Sequence, residues 1–159
     1  MTSIGNHSFY QCSSLTQISI PSSITLIGDF TFYNCSSLTQ ISIPSSVTSI
    51  GDNAFNGCSS LTQISIPSFV TSIGTNVFSG IRILEITGDV KIIINKAFDG
   101  LTSLIEITIP SSVTSIGDHA FYKCSSLKQV LFEKNSSLIS IGLAAFCGLF
   151  LKQIFFFKH

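Results

Sequence analysis

The stretch SIGDNAFNGCSSLTQISIPSFV, residues 49–70, decides how this chain folds, because it recurs in altered form from one end of the sequence to the other. Its phenylalanine is Phe55, with counterparts at Phe9, Phe32, Phe78, Phe98, Phe121 and Phe146 and successive spacings of 23, 23, 23, 20, 23 and 25. A period so nearly constant is the mark of a solenoid, in which each repeat stacks on its neighbours.

Downstream of each Phe comes an apolar triplet: Leu15, Ile18, Ile20; Leu38, Ile41, Ile43; Leu61, Ile64, Ile66; Ile81, Leu84, Ile86; Leu104, Ile107, Ile109; Leu127, Val130, Phe132; and Leu151, Ile154, Phe156. The last two members of each triplet are two residues apart, so they share one face of a short strand while their neighbours point the other way. Seven such strands are expected, parallel and in register. A second apolar pair precedes each Phe, as in Ile24/Ile27, Val47/Ile50, Val70/Ile73, Val90/Ile93, Val113/Ile116 and Leu138/Ile141. One coil cannot enclose these side chains by itself. Coils must stack and share a common interior.

The corners carry their own pattern. Gly5, Gly28, Gly51, Gly74, Gly117 and Gly142 share one position, with Ile94 as the exception, and freedom to take positive φ would explain them. The next residue is Asn6, Asp29, Asp52, Thr75, Asn95 or Asp118, each able to accept from backbone N–H groups that open a short helical turn. Leu143 cannot, which predicts an altered last turn. Pro21, Pro44, Pro67 and Pro110 close their strands, since proline donates nothing to a ladder. The fourth coil reads as lacking Cys-Ser-Ser before Ile81, and the longer link at Glu133 to Ser137 as a surface bulge.

The pattern (I/L)P-S-S-(V/I)-T-S-I-G-D-x-A-F-x-x-C-S-S-L-T-x-I, nearly complete from Ile43 to Ile64, resembles the BspA-like, or Treponema-type, leucine-rich repeat. The resemblance covers essentially the whole chain. It implies a leucine-rich repeat solenoid of about seven stacked coils with a parallel β-sheet on the concave face. Short helical turns and extended segments would fill the rest. It also implies a binding protein, often at a cell surface and adhesive towards host or matrix proteins. The asparagine ladder of the commoner leucine-rich repeat is absent, its place being taken by Ser23, Ser46, Phe69 and Ser112.

Composition narrows the function further. The 159 residues are 45% hydrophobic and only 10% charged, with zero formal net charge, which leaves no basic face for nucleic acid. Residues 1–80 carry only Asp29 and Asp52, and all eight Lys and Arg lie beyond them. That first half suits neutral polar contacts better than long-range steering. The unbroken repeat argues for a single domain over residues 1–159 without separate capping domains. No apolar run reaches the ~20 residues of a membrane span, so no membrane insertion is expected. Met1 to Tyr10 shows no basic and apolar export signal.

Outward strand positions form three columns. The first reads Gln17, Gln40, Gln63, Ile83, Glu106, Gln129, Gln153; the second reads Ser19, Ser42, Ser65, Glu85, Thr108, Leu131, Phe155. The third reads Pro21, Pro44, Pro67, Thr87, Pro110, Glu133, Phe157. Their chemistry passes from neutral polar through an acidic middle to apolar. The expected partner-binding set is Gln17, Gln40, Gln63, Ile83, Glu85, Glu106, Thr108, Gln129, Leu131 and Glu133. Phe155 and Phe157, on the C-terminal coil, are the expected self-association surface, because exposed apolar clusters mark interfaces.

Cys12, Cys35, Cys58 and Cys124 share one slot that Leu101 and Leu149 approach in other coils. Interchange with leucine marks a small apolar site, and free buried thiols are expected. Stacking at ~5 Å would nonetheless put neighbouring Cys within disulfide range. No His shares that column, and Cys147 stands apart, so no zinc site or other cofactor is expected. His7 and His119 occupy the slot after the cap residue and read as solvated turn residues; with His159 they form no catalytic set. No phosphate loop, HExxH or GxSxG motif is present. Of the acceptor patterns at Asn6, Asn34 and Asn135, the last is the one expected to be accessible to glycosylation.

These features point to a non-enzymatic module that binds a protein of unknown identity. An intracellular scaffold or regulator is the second reading, and a homo-oligomer assembled through the C-terminal coil the third.

Overall fold

The computed structural model describes residues 2–149, apart from Ser68 and Gly88, and the backbone of the strand Gln153–Phe156. In chain order its strands are β1 (Ser3–Ile4), β2 (Leu26–Ile27), β3 (Gln40–Ser42), β4 (Ser49–Ile50), β5 (Gln63–Ser65), β6 (Ser72–Ile73) and β7 (Ile83–Thr87). There follow β8 (Ile92–Ile93), β9 (Glu106–Ile109), β10 (Ser115–Ile116), β11 (Gln129–Phe132), β12 (Ser140–Ile141) and β13 (Gln153–Phe156). Every pairing among them is parallel. The chain is a parallel β-solenoid, as the period requires.

One side carries a long sheet of six strands in the order β3-β5-β7-β9-β11-β13. Seven strands are expected there, but the first coil contributes only an isolated bridge between Ser19 and Ser42. The opposite side carries two-residue strands formed by the second apolar pair. They fall into two separate sheets, β1-β2-β4-β6 and β8-β10-β12.

Between the two sides lies a continuous apolar core that includes Phe32, Phe55, Phe78, Phe98 and Phe121. The Phe rings stack along the solenoid. Phe9–Phe32, Phe32–Phe55 and Phe55–Phe78 lie 5.2, 5.3 and 6.0 Å apart and nearly parallel; Phe98–Phe121 and Phe121–Phe146 lie 5.2 and 5.1 Å apart. Phe78 and Phe98 are the odd pair, tilted by 32°.

The segments joining the two sides are successive turns. Among the described residues none is helical, which corrects the short helical turns expected. Each turn segment holds two left-handed residues, such as His7 and Gln11, Phe30 and Asn34, or Asn53 and Gly57, which reverse the chain every few residues and prevent helix propagation.

The corner glycines have a different cause from the one expected. None of Gly5, Gly28, Gly51, Gly74, Gly117 and Gly142 has positive φ. A Cβ on Gly51 would instead run into the backbone N of Asp29 at 2.6 Å, and on Gly74 into that of Asp52 at 2.5 Å. Close approach to the preceding coil is what demands glycine at Gly28, Gly51, Gly74, Gly117 and Gly142, whereas a Cβ on Gly5 would meet only Ser8 Oγ at 3.6 Å.

The cap residues are likewise used between coils. Asp29 N–H donates to Asn6 Oδ1 at 2.9 Å, Asp52 N–H to Asp29 Oδ1 at 2.8 Å, and Asp118 N–H to Asn95 Oδ1 at 2.9 Å. Leu143 N–H still donates to Asp118 Oδ1 at 2.6 Å, and Leu143 C=O accepts from His119 N–H, so the last described turn is not altered as expected. Only the acceptor that Leu143 lacks is lost.

The fourth coil is shortened in a way the alignment of triplets does not show. Ile81 N–H donates to Phe78 C=O just as Cys58 N–H donates to Phe55 C=O, so Ile81 occupies the cysteine slot. Ile64 pairs with Ile86 rather than Leu84. Counted against β5, one of the three missing residues falls between the turn and the strand and two after it; counted against β9, where Leu84 pairs with Ile107, all three fall before the strand. The longer link after Phe132 forms a turn at Lys134–Asn135, with Asn135 exposed and left-handed.

Candidate functional site

The outward face of the long sheet is where the expected site residues meet, and its register differs from the simple alignment. β7 is the longest strand, with five residues. It pairs with β5 through Glu85–Thr87 and with β9 through Ile83–Glu85, so it slides by two residues between its neighbours. A two-residue slide keeps every side chain on its own face.

The slide rearranges the columns. Gln63 stands beside Glu85, not Ile83, and Ser65 beside Thr87, not Glu85. One row thus runs Gln40, Gln63, Glu85, Thr108, Leu131, Phe155, and a second runs Ile83, Glu106, Gln129, Gln153. Glu85 is the one residue of β7 paired on both sides.

The side chains differ in what they can offer. Gln40 is exposed, and Ile83 keeps 52% of its surface in solvent although it is an isoleucine on a strand. Glu85, Glu106, Gln129 and Leu131 are half-buried. Thr108 is only 8% exposed, wedged between Glu85 and Leu131, and contributes little surface.

Gln17 lies outside any strand, exposed beside the isolated bridge of the first coil, and so does not extend the row as expected. Glu133 is committed elsewhere: its Oε2 accepts from Ser111 N–H at 3.0 Å and ties the sixth coil to the fifth. The Phe155 backbone pairs with Leu131, and Phe157 lies outside the described residues.

A neighbouring hollow of about 560 Å³ lies outside the columns. Arg82 and Lys128 line it together with Ser103, Ser125 and Ser126. Arg82 and Lys128 immediately precede β7 and β11, where the repeat has Thr39 and Thr62 in earlier coils. The available signal was the confinement of all cationic residues to the second half.

The thiols are chemically quiet. Cys35, Cys58 and Cys124 are buried, and all five cysteines are free, but Cys12 is exposed in the first coil, contrary to expectation. Each buried Sγ–H donates to the carbonyl of a phenylalanine in the preceding coil, at 3.1, 3.2 and 3.0 Å. Burial pushes Cys58 and Cys124 up to about 12 and Cys35 upward as well, which disfavours thiolate chemistry. Among the described residues no His, Cys, Asp and Glu group could hold a metal ion, and no helix is long and apolar enough to cross a membrane.

The repeat is matched along the chain by the BspA type leucine rich repeat region, in six copies over residues 1–98 and 91–159. No curated protein matches significantly in sequence. Among solved structures, the Treponema pallidum leucine rich repeat protein is 30% identical with a TM-score of 0.63, over 92% of this chain and 69% of that one. A leucine rich cell surface protein from Faecalibacterium prausnitzii A2-165 is 33% identical with a TM-score of 0.56, over 96% of this chain and 42% of its own. A leucine-rich repeat protein from Bacteroides ovatus is 31% identical with a TM-score of 0.51, over 95% of this chain and 45% of its own. The chain thus spans less than half the length of the last two.

Proposed function

This chain belongs to the BspA type leucine-rich repeat family, and from that premise we propose that it is a non-enzymatic module that holds a protein partner on its concave strand face. Its leading role is adhesive or receptor-like recognition at a cell surface. The observation that carries this reading is the contrast between the two faces of one sheet. Inward positions of the long sheet from β3 to β11 repeat as Ile, Leu, Val and, at Phe132, Phe, all buried, whereas outward positions change from coil to coil and include an exposed Ile83 beside Glu106. A rigid frame with variable outward chemistry suits recognition of a shaped surface. The printed name of the Faecalibacterium relative, a cell surface protein, supports the location.

The test is recovery of partner from native extract by the wild-type chain and by Glu85→Lys plus Glu106→Lys. Recovery falls at least about tenfold if the face is used, since like-charge juxtaposition costs several kcal/mol; equal recovery refutes its use.

A scaffold or regulator inside the cell is the second reading, favoured by five free cysteines, since thiols persist in reducing compartments. Protease treatment of intact cells separates the two: cleavage supports the surface and full protection removes it. Self-association through the C-terminal coil is a third, supported by apolar side chains left in water there, with Ile139 85% and Leu143 74% exposed. Light scattering that shows a monomer at high concentration, unaffected by Phe155→Ser plus Phe157→Ser, removes it.

A further inference from the structure

Among the described residues the stacking of the solenoid is interrupted where the fourth coil meets the fifth. Elsewhere the coils are stitched by a repeated set of bonds. Phe9, Phe32 and Phe55 N–H donate to Thr31, Ala54 and Val77 C=O, and Phe98 and Phe121 N–H to Ala120 and Ala145 C=O. Gly28, Gly51 and Gly74 N–H donate to Ile4, Ile27 and Ile50 C=O, and Gly117 N–H to Ile93 C=O. Among the described residues neither series has a member joining residues 71–80 to residues 91–100. β6 and β8 end their separate sheets there, and no Cα of one lies within 8 Å of a Cα of the other.

Three local causes converge on this break. Ile94 stands where the other coils have glycine, and at Gly28, Gly51, Gly74, Gly117 and Gly142 a Cβ would strike the backbone of the preceding coil, so an isoleucine does not permit the same approach. Thr75 stands where five other coils have Asn or Asp, and its hydroxyl donates back to Asp52 Oδ1 at 3.1 Å, towards the preceding coil. The third is the register of β7, which slides by two residues between β5 and β9, and the Phe78 and Phe98 rings on either side of the junction are tilted by 32°.

The opposite side stays closed. β7 and β9 pair through Ile83–Glu106, Leu84–Ile107 and Glu85–Thr108, and Ile105 N–H donates to Arg82 C=O at 2.6 Å. Ser103 adds a clasp, accepting from Gly80 N–H at 3.0 Å and donating to Ile81 C=O at 2.9 Å. The opened side is lined by Ile66, Val70, Ile73, Ile86, Ile93 and Phe98, and its free volume of ≈10 Å³ is at the lower limit for one water and too small for a bound segment.

We propose that this junction is a hinge: the two segments of the solenoid swing about the β7–β9 pairing, opening and closing the apolar side opposite the long sheet. The axle runs through Ile83, Glu85 and Glu106, so the swing changes the curvature of the face on which those residues stand. Hinges of this kind need a few residues that absorb the motion and a packed element that keeps its contacts. The hinge stands on geometry alone and does not depend on which partner the face takes.

Spin-label distance measurements on the full chain test it. In a Cys12→Ser, Cys147→Ser background, one pair is placed at Thr25→Cys and Thr114→Cys on the opened side, and another at Gln40→Cys and Gln129→Cys on the long sheet. Both pairs join the second coil to the sixth. A hinge gives a distance distribution roughly twofold broader or more for the 25/114 pair than for the 40/129 pair. Two narrow distributions mean a rigid junction, and two broad ones mean unfolding of the coil; either result overturns the hinge, as does a broader 40/129 pair.

Discussion

The amide of Asp52 donates a 2.8 Å hydrogen bond to Oδ1 of Asp29, its counterpart one coil earlier. That contact brings the backbone of the third coil so close to the second that Gly51 has no room for a side chain.

Gly51→Ala should therefore be costly, by roughly 1–3 kcal/mol, because the obstruction at 2.6 Å is the backbone N of Asp29 and cannot rotate away. Gly5→Ala is the control, since its nearest neighbour would be Ser8 Oγ at 3.6 Å, and it should stay within about 0.5 kcal/mol of wild type. Denaturant unfolding of both variants checks the pair. Equal losses would show that the glycines serve some purpose other than close approach.

Phe55 is fully buried between Phe32 and Phe78. Phe55→Ala should destabilise by about 3–5 kcal/mol through lost transfer energy and an unfilled cavity. Phe69→Ser, at a side chain 64% exposed, should change stability by less than about 0.5 kcal/mol. Thermal unfolding followed by circular dichroism distinguishes the two phenylalanine classes.

The thiols should divide by accessibility. Cys12 and Cys147 are exposed and should react with a thiol reagent in the native state, whereas Cys35, Cys58 and Cys124 should react only on unfolding. Mass spectrometry after brief labelling counts the modified sites.

The same burial predicts a pH dependence. Cys58 and Cys124 are held as thiols up to about 12 in the folded chain, against 9.0 for the unperturbed group, so above that lower value the unfolded state binds fewer protons than the folded one. Their contribution is fully present below pH 9.0 and is lost as pH rises towards about 12. Comparing wild type with Cys58→Ala plus Cys124→Ala, the fall in stability over that window should be shallower in the variant. Parallel pH profiles would mean that the thiols do not contribute.

Recognition on the long sheet should depend on Ile83, whose side chain stands in solvent one strand away from Glu106. Ile83→Asp should leave stability within about 0.5 kcal/mol and lower partner affinity by about tenfold or more. Titration of the isolated partner measures both terms, and unchanged affinity excludes this part of the face.

Much of the candidate face was legible in the strand alternation. The places of Gln40, Ile83, Glu85, Glu106 and Leu131 on the outward side follow from period two and hold in the structure. What alternation could not reveal is which of them are neighbours, because a strand displaced by two residues keeps the same face. Glu133 was equally opaque, since its bond to Ser111 joins residues from adjacent coils. Arg82 and Lys128 fell outside the columns because they precede the strands.

Spacing alone determined the solenoid, the parallel strands and the core of the middle coils, though not of the first and last, where Cys12 and Ile141 are exposed. A slot that recurs about every 23 residues superimposes on itself, and apolar slots so superimposed face inward wherever a coil is covered on both sides. The two-residue slide of β7, the reason for the corner glycines and the break between β6 and β8 were decided by tertiary structure. Each depends on distances between atoms of adjacent coils, and a one-dimensional repeat states which positions correspond but not how closely their backbones approach.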